Sequence, residues 1–217
     1  MKYRSYAIIT VVLISVLFLS ISSVHAETAE EYYNIALTYF KQPKLPDFPH
    51  AIEYCTKAIE INPKYADAYN LRGCVFKIQG NFPQAISDFS KAIEINPHFA
   101  NPYYHRGDLY SQQENWSQAI SDYTKAIEIN PNDVDTYCNR GNAYNQLGNY
   151  PKAIADYTKV IEIKPNEAIG YNGRVNVYYY MKEYDKAWAD VHKAEELGLA
   201  ILPEFLDKLK AVSRRDS

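Results

Sequence analysis

A period of 34 residues runs through most of the chain and limits what it can fold into. The seven residues at 57–63 (KAIEINP) recur at 91–97 and 125–131, and a fourth copy at 159–165 differs at two positions. Tyrosine, arginine and alanine keep the same step, at Tyr69, Tyr103, Tyr137 and Tyr171; Arg72, Arg106, Arg140 and Arg174; Ala85, Ala119, Ala153 and Ala187. Because so many positions share one period, the sequence predicts an array of small repeated units.

Each unit is predicted to form two helices joined by a turn. In the second unit, Tyr69, Gly73 and Phe76 have the four- and three-residue spacing of one helical face. The Gly-Asn pair at 80–81 interrupts this pattern. A second amphipathic stretch then runs up to Pro97, where a helix cannot continue because proline has no backbone N–H.

Small and aromatic residues recur where the helices should pack. The small residues are Gly73, Gly107, Gly141, Ala85, Ala119 and Ala153, and the aromatic residues are Phe82, Trp116, Tyr150, Tyr184, Phe89, Tyr123 and Tyr157. This pattern resembles the tetratricopeptide repeat (TPR) family, whose unit is a 34-residue helix-turn-helix. The resemblance implies an all-α fold, namely a right-handed α-solenoid of about five TPR helix-turn-helix units plus a C-terminal capping helix.

The resemblance also divides the chain. It implies an array over 27–201, with units at about 29–65, 66–99, 100–133, 134–167 and 168–201. The last unit departs from the family's pattern, with Val175 in place of glycine and Leu199 in place of proline. Pro203 begins a further amphipathic segment, so we expect a capping helix and tail at 202–217.

The N-terminal segment does not fit the repeat. Lys2 and Arg4 precede an apolar run at 7–19, and small and polar residues lead to Ala26. These features predict a secretory signal peptide at 1–26, cleaved after Ala26, and therefore an exported protein, either periplasmic or secreted. The alternative is an uncleaved segment that anchors the protein to a membrane, although its apolar run is shorter than the roughly 20 residues a spanning helix needs.

The overall charge argues against one class of partner. The 217 residues include 23 Lys and Arg against 26 Asp and Glu, which gives a formal net charge of −3. This balance does not suit a nucleic-acid binder, so no nucleic-acid partner is expected. The three cysteines, Cys55, Cys74 and Cys138, fall at different positions of different units and cannot form a disulfide framework. Their redox state stays open.

No catalytic or metal-binding motif is recognisable. The sequence lacks a Gly-Lys-Ser/Thr phosphate loop, a His-Glu-x-x-His motif and a Cys-x-x-Cys pair. We therefore expect no catalytic residue, no metal and no cofactor, and we interpret His105 as a solvated side chain. The repeated aspartates are interpreted as solvated surface beside Lys–Glu pairs, and the repeated arginines as packing between helices; the aspartates are Asp88, Asp122, Asp156 and Asp190.

The resemblance implies a concave groove, lined by the first helix of each unit, that holds a peptide or a partner's helix. Positions one turn away from the packed face of those helices are rich in asparagine, which can pair with both groups of a peptide backbone. The candidate partner-binding residues are Asn70, Tyr104, Asp108, Asn139, Asn142, Asn145, Asn172, Asn176, Tyr179 and Tyr180. Asp135 and Cys138 occupy the same positions. The alternative is that these asparagines only solvate an exposed helix face.

The predicted function is a non-catalytic protein–protein interaction scaffold that binds a peptide or a partner protein in the groove. The alternative is a membrane-anchored assembly component of a cell-envelope or secretion machine. Tyrosine is abundant, at 21 residues, but most of these fall at packing positions of the repeat. Tyr33, Tyr104, Tyr179 and Tyr180 remain for the groove.

Overall fold

The computed structural model describes residues 28–42 and 46–213, and all regular structure in these two ranges is α-helical. The predicted signal peptide at 1–26 lies outside them, as do residues 43–45 and 214–217. The chain divides after Pro63 into two compact units, described separately below. No helix in the described ranges has both the length and the apolar composition needed to cross a bilayer.

The first unit is one helix pair, formed by α1 (Ala29–Phe40) and α2 (Phe48–Ile61). Thr28 caps α1: its hydroxyl accepts from the Glu31 N–H, and the Glu31 carboxylate accepts from the Thr28 N–H. Small residues close the interface between the helices. Cys55 is fully buried, as expected for a core position that elsewhere holds an aromatic residue.

The second unit contains four further helix pairs and a last helix. The pairs are α3 (Ala66–Ile78) with α4 (Phe82–Ile95), α5 (Ala100–Gln112) with α6 (Trp116–Ile129), α7 (Val134–Gln146) with α8 (Tyr150–Ile163), and α9 (Ile169–Tyr180) with α10 (Tyr184–Glu196); α11 spans Pro203–Ser213. Each pair packs on the next, and the first helices of consecutive pairs also touch. The prediction of an all-α repeat array is confirmed.

Glycine makes room for an aromatic ring inside each pair. A Cβ atom on Gly107 would lie 2.9 Å from the Tyr123 ring, and one on Gly73 would lie 2.7 Å from the Phe89 ring. Both rings are fully or almost fully buried. Glycine lowers the stability of a helix, but any larger residue here would displace the ring that fills the space between the two helices of the pair.

The interpretation of the repeated aspartates as solvated surface is wrong. Each is only 5 to 6% exposed and accepts two hydrogen bonds, of 2.7 to 2.9 Å, from an arginine on the first helix of the same pair. The pairs are Arg72–Asp88, Arg106–Asp122, Arg140–Asp156 and Arg174–Asp190. The local spacing was misleading because the partner lies sixteen residues away on another helix. The predicted packing of the arginines between helices is confirmed.

Three of these arginines also reach the preceding helix pair. Arg106 Nη1 donates to Ser90 Oγ at 2.8 Å, and Arg140 Nη1 donates to Thr124 Oγ1 at 3.1 Å. Arg174 bonds in the same way to the threonine of α8. One guanidinium therefore joins three helices, which couples each pair to its neighbour as well as closing the pair itself. The Lys–Glu pairs expected on the second helices do form, and they are exposed to solvent.

The final helix covers the end of the second unit. Leu209 of α11 is fully buried, and Trp188 Nε1 on α10 donates to Ser213 Oγ at 3.1 Å. The polar face of α11 stays in solvent, as expected for a helix that closes a stack of repeats.

Candidate functional site

A cavity of about 370 Å³ opens within the second unit along the first helices of three successive pairs, α5, α7 and α9. Seven of the ten candidate binding residues line it: Tyr104, Asn139, Asn142, Asn145, Asn172, Asn176 and Tyr180. The other lining residues are Asp135, Cys138, Tyr157, Ile169 and Gly173. We call this space the amide cavity, because side-chain amides form much of its surface.

Hydrogen bonds fix the orientation of two of these amides. Asn142 Oδ1 accepts from the Tyr157 hydroxyl at 2.6 Å, so its amino group is the part left for a ligand. In Asn139 the amino group is the part used within the protein. Its Nδ2 donates to Asp108 Oδ1 at 3.1 Å and to the Tyr104 hydroxyl at 3.4 Å. Its carbonyl oxygen is therefore the free group. Neighbouring residues of one helix thus offer a donor and an acceptor.

Asn145 adds an acceptor that the protein itself does not use. Its Oδ1 is buried, and no hydrogen-bond partner for it exists among the residues the structure describes. A buried polar atom without a partner costs roughly 1 to 3 kcal/mol. On the facing helix, Asn176 is exposed and makes only a long contact of 3.4 Å to the Asn172 carbonyl. The exposed Asn176 side chain is therefore available to a ligand.

Gly173 shapes the wall of the cavity. It occupies the repeat position that holds Leu71, His105 and Asn139 in the earlier pairs. A Cβ atom there would collide with the Tyr157 ring, so only glycine lets the α9 backbone lie against that ring. Burial raises the pKa of Tyr157, which keeps its hydroxyl protonated and able to donate to Asn142.

The cavity lies in a negative electrostatic field. Burial is the main cause that raises the pKa of Tyr104 to about 12, and the charges of Asp108, Asp135 and Asp133 contribute to the rise. The pKa of Cys138 is raised to about 11, again by burial first and then by nearby carboxylates that include Asp135. Asp135 is itself exposed. The phenol and the thiol are therefore neutral at physiological pH, and no positive charge in the cavity lining offsets the carboxylate.

Comparison with known families identifies the chain. The model described as "Tetratricopeptide repeat" matches residues 66–99 and 134–167, and the one described as "TPR repeat" matches 107–148. The chain is a tetratricopeptide repeat protein. The helix pairs of its second unit are therefore TPR units, the scaffold of a protein that acts through protein–protein interaction.

Solved structures support the TPR assignment. A structure of the MamA protein is 26% identical with a TM-score of 0.72, covering 82% of this chain and 99% of its own. A structure of YrrB, described as a TPR protein with an unusual peptide-binding site, is 22% identical with a TM-score of 0.73, over 90% and 97% of the two chains. A structure of Pseudomonas aeruginosa pilF is 19% identical with a TM-score of 0.70, over 86% and 84%. None of the curated protein sequences compared with this TPR chain matches it.

Three of the candidate binding residues lie outside the amide cavity. Asp108 already has partners in two units, because it pairs with Lys77 Nζ of the preceding helix pair at 2.6 Å and accepts from the Tyr123 hydroxyl of its own pair at 3.0 Å. Tyr179 packs on Phe205 of the capping helix, with 5.4 Å between the ring centroids. Asn70 is also absent from the cavity lining, since it lies on the first helix of an earlier pair. The repeat pattern places all three in the groove because it distinguishes residues only by their position within a unit.

The expectation of a solvated His105 is wrong. Its ring packs between Phe89 and Tyr104, with centroid distances of 5.4 and 5.3 Å, and its buried Nδ1 has no hydrogen-bond partner in the described part of the chain. Burial, with a further effect from Lys77, lowers the pKa of His105 to about 4. The imidazole is therefore neutral at physiological pH. A leucine, Leu71, occupies the same repeat position in the preceding unit, and this apolar residue is the sequence signal for a core position. Leu71 is indeed buried in its own pair.

Tyr157, Ile169 and Gly173 line the cavity but were not among the candidate residues. Tyr157 stood at an aromatic position assigned to the core, and it is indeed almost fully buried. Only a small part of its surface is exposed at the cavity, and the α9 backbone at Gly173 packs against its ring. The glycine's departure from the leucine, histidine and asparagine of earlier units was the one available signal in the sequence.

Proposed function

We propose that the chain binds an extended segment of a partner protein in the amide cavity of its second unit, and that it acts by binding rather than by catalysis. The observation that carries this proposal is the set of oriented amides at Asn139, Asn142 and Asn145, which present an acceptor, a donor and a buried unpaired acceptor. YrrB is described as a TPR protein with an unusual peptide-binding site, so this fold can hold a peptide.

A peptide backbone matches this arrangement of groups. Each residue of an extended chain offers one N–H and one C=O, and a ligand N–H that reaches Asn145 Oδ1 would remove the cost of that unpaired atom. The rings of Tyr104 and Tyr180 add rigid contact area with little loss of side-chain entropy. Recognition through the backbone makes few demands on the partner's side chains, which suits a scaffold.

The titratable groups near the cavity favour binding over chemistry. Cys138 has a raised pKa, so little reactive thiolate forms at physiological pH. His105 is neutral, partly buried and packed between aromatic rings, which leaves it poorly placed to exchange protons with a substrate. These properties support a role as an interaction module.

Site-specific photocrosslinking in host cells tests the binding surface. A photoreactive phenylalanine analogue at exposed Asn176 should capture a partner protein, and the same group at exposed Lys125, on the second helix of another pair, should not. Capture at Lys125 with none at Asn176 would place the binding surface elsewhere and refute the proposal.

Alanine variants measure the contribution of the amides. Asn176→Ala should weaken partner binding with little change in stability, because its side chain makes only the 3.4 Å contact to Asn172. Asn142→Ala should weaken binding and also lower the free energy of unfolding by about 1 to 3 kcal/mol, since it leaves the Tyr157 hydroxyl without its acceptor. Asn101→Ala is a matched control, being exposed on α5 and outside the cavity.

We also propose that the chain is exported, with residues 1–26 as a cleaved signal peptide. The support is the sequence pattern alone, namely two basic residues, a short apolar run and a small residue at Ala26. Cell fractionation with N-terminal sequencing tests it. A soluble exported product that begins at Glu27 is expected, whereas a full-length product in the membrane fraction would favour the anchored assembly component.

A further inference from the structure

The amide cavity carries one carboxylate that forms no ion pair with a side chain of the described residues. Of the described residues that line it, Asp135 alone is charged, and its side chain is exposed. The nearby Asp108 differs, because Lys77 neutralises it at 2.6 Å. The pKa of Lys164 is raised mainly by its hydrogen bond to Glu167, at 2.7 Å, and the charge of Asp135 makes only a minor contribution. Asp135 is therefore open to a cation supplied by a ligand.

A neighbouring group would complete the surroundings of such a cation. Asn139 lies one turn along α7 from Asp135, and its carbonyl oxygen remains free because its amino group is used within the protein. A guanidinium or ammonium group has several N–H donors and no acceptor, so it could donate to this oxygen as well as to the carboxylate.

An aromatic ring borders the same end of the cavity. Tyr104 of α5 lines it, and Asp135 lies close enough to contribute to the raised pKa of the Tyr104 hydroxyl. The face of a tyrosine ring attracts cations, particularly where water is partly excluded. An anionic side chain would meet the carboxylate and this ring, both of which repel it.

We propose that the amide cavity accepts a cationic side chain, arginine or lysine, of the extended segment bound there, with Asp135 as its counter-ion. This inference rests on the proposed function and names the chemistry of its partner. The backbone of the segment would pair with the asparagine amides, and the cationic side chain would reach the Asp135 carboxylate and the Asn139 carbonyl oxygen. The amides would thus bind many sequences, and the carboxylate would select among them.

A displayed library of random 12-residue peptides, selected on the full chain, tests the inference. Enriched peptides should carry arginine or lysine at one aligned position far more often than the unselected library does. The Asp135→Asn variant should lose that preference. The Asp67→Asn variant should keep it, because Asp67 holds the same repeat position on α3, is exposed and lies outside the cavity.

The outcomes separate the inference from the proposed function. Enriched peptides without a cationic preference, or with a preference unchanged by Asp135→Asn, would overturn the cationic subsite and leave peptide binding in place. If no peptide is enriched, both the subsite and the proposed function are overturned.

A double-mutant cycle on one enriched peptide then measures the pair. Replacing its cationic residue by a neutral isostere, citrulline for arginine or norleucine for lysine, should weaken binding to the native chain about fivefold. The same replacement should have almost no effect on binding to Asp135→Asn. Equal losses with both proteins would show that the cation binds elsewhere, and would refute the assignment of Asp135.

Discussion

The ion pair between Arg140 and Asp156 offers a direct test of what holds the two helices of one pair together. Arg140 on α7 donates from Nε and Nη2 to Asp156 on α8, at 2.9 and 2.7 Å. The side chains are only 15% and 6% exposed. The perturbation is Asp156→Ala, which removes the acceptor of both bonds and leaves the guanidinium inside the structure.

The expected cost follows from what the guanidinium loses and keeps. Breaking a buried pair by removing one partner typically costs about 3 to 5 kcal/mol, because a desolvated charge is left behind. Arg140 keeps its bond to Thr124 at 3.1 Å and its contact with the Tyr137 ring, 5.6 Å from the centroid. It also retains some exposure to water. We therefore expect the lower end of the range, about 3 kcal/mol.

The chain contains a matched control with the same charges and almost the same distance. Lys125 and Glu128 are joined at 2.7 Å, but both side chains are 56% exposed. Because exposed pairs contribute little, Glu128→Ala should cost less than about 1 kcal/mol. The difference between Asp156→Ala and Glu128→Ala then measures the effect of burial.

Urea unfolding at neutral pH, followed by circular dichroism of the helices, supplies the free energies. The slope of free energy against urea must be compared among variants, because repeat arrays can lose cooperativity when one interface weakens. A loss below about 1 kcal/mol for Asp156→Ala, equal to that of Glu128→Ala, would refute the view that these buried pairs hold neighbouring helices together.

A double variant separates the ion pair from packing. Burial raises the pKa of Asp156, while the hydrogen bonds from Arg140 act in the opposite direction. Replacing both residues by leucine removes the desolvation of both charges together with their attraction, so the double variant should recover most of the stability lost in Asp156→Ala. If the double variant is less stable than Asp156→Ala, the two charges do more for the fold than this reasoning allows.

Three further predictions concern stability and reactivity. The lowered pKa of His105 means that the unfolded chain binds more protons between pH 6.5 and about 4, so stability should fall as the pH drops through that range, by up to about 3 kcal/mol. His105→Leu introduces the residue found at the equivalent position, Leu71, in the preceding pair. In this variant the difference in unfolding free energy between pH 7 and pH 4.5, measured by urea unfolding, should disappear. An unchanged difference would show that His105 is not the group responsible. Gly107→Ala should cost about 1 to 3 kcal/mol in the same assay because the new methyl would meet the Tyr123 ring at 2.9 Å, and no loss would show that the ring moves freely. Cys138, with its pKa near 11, should react with a disulfide reagent at pH 7.4 about a hundredfold more slowly than a free thiol, whereas an equal rate would show an open, ionised thiol.

Much of the site was accessible from the repeat pattern. Asn142, Asn145, Asn172 and Asn176 were chosen because they lie one turn away from the packed face of a first helix, and all four line the cavity. Helical periodicity fixes which residues share a face, and the shared period fixes which faces are equivalent. The repeat pattern does not distinguish equivalent positions in different units, whereas this cavity is lined by the first helices of only three pairs.

Two side chains have surroundings that the pattern does not predict, because these depend on neighbours distant in sequence. Tyr179 holds a groove position, but the capping helix places Phe205 against it. His105 holds a position that was expected to be solvated, but Phe89 from the preceding pair covers it. Neither contact follows from the spacing of residues within one helix.

The sequence by itself determined that the chain is a tetratricopeptide repeat protein, where its helices occur and which face of each first helix carries asparagine. These are local properties, set by the periods of apolar, small and helix-ending residues within each unit. The tertiary structure alone decided that the repeated aspartates are buried against arginines sixteen residues away, and that Gly173 packs against Tyr157 beside a cavity that Asp135 also lines. The physical reason is that burial and pairing depend on how separate helices pack, and the spacing along one helix does not specify that packing.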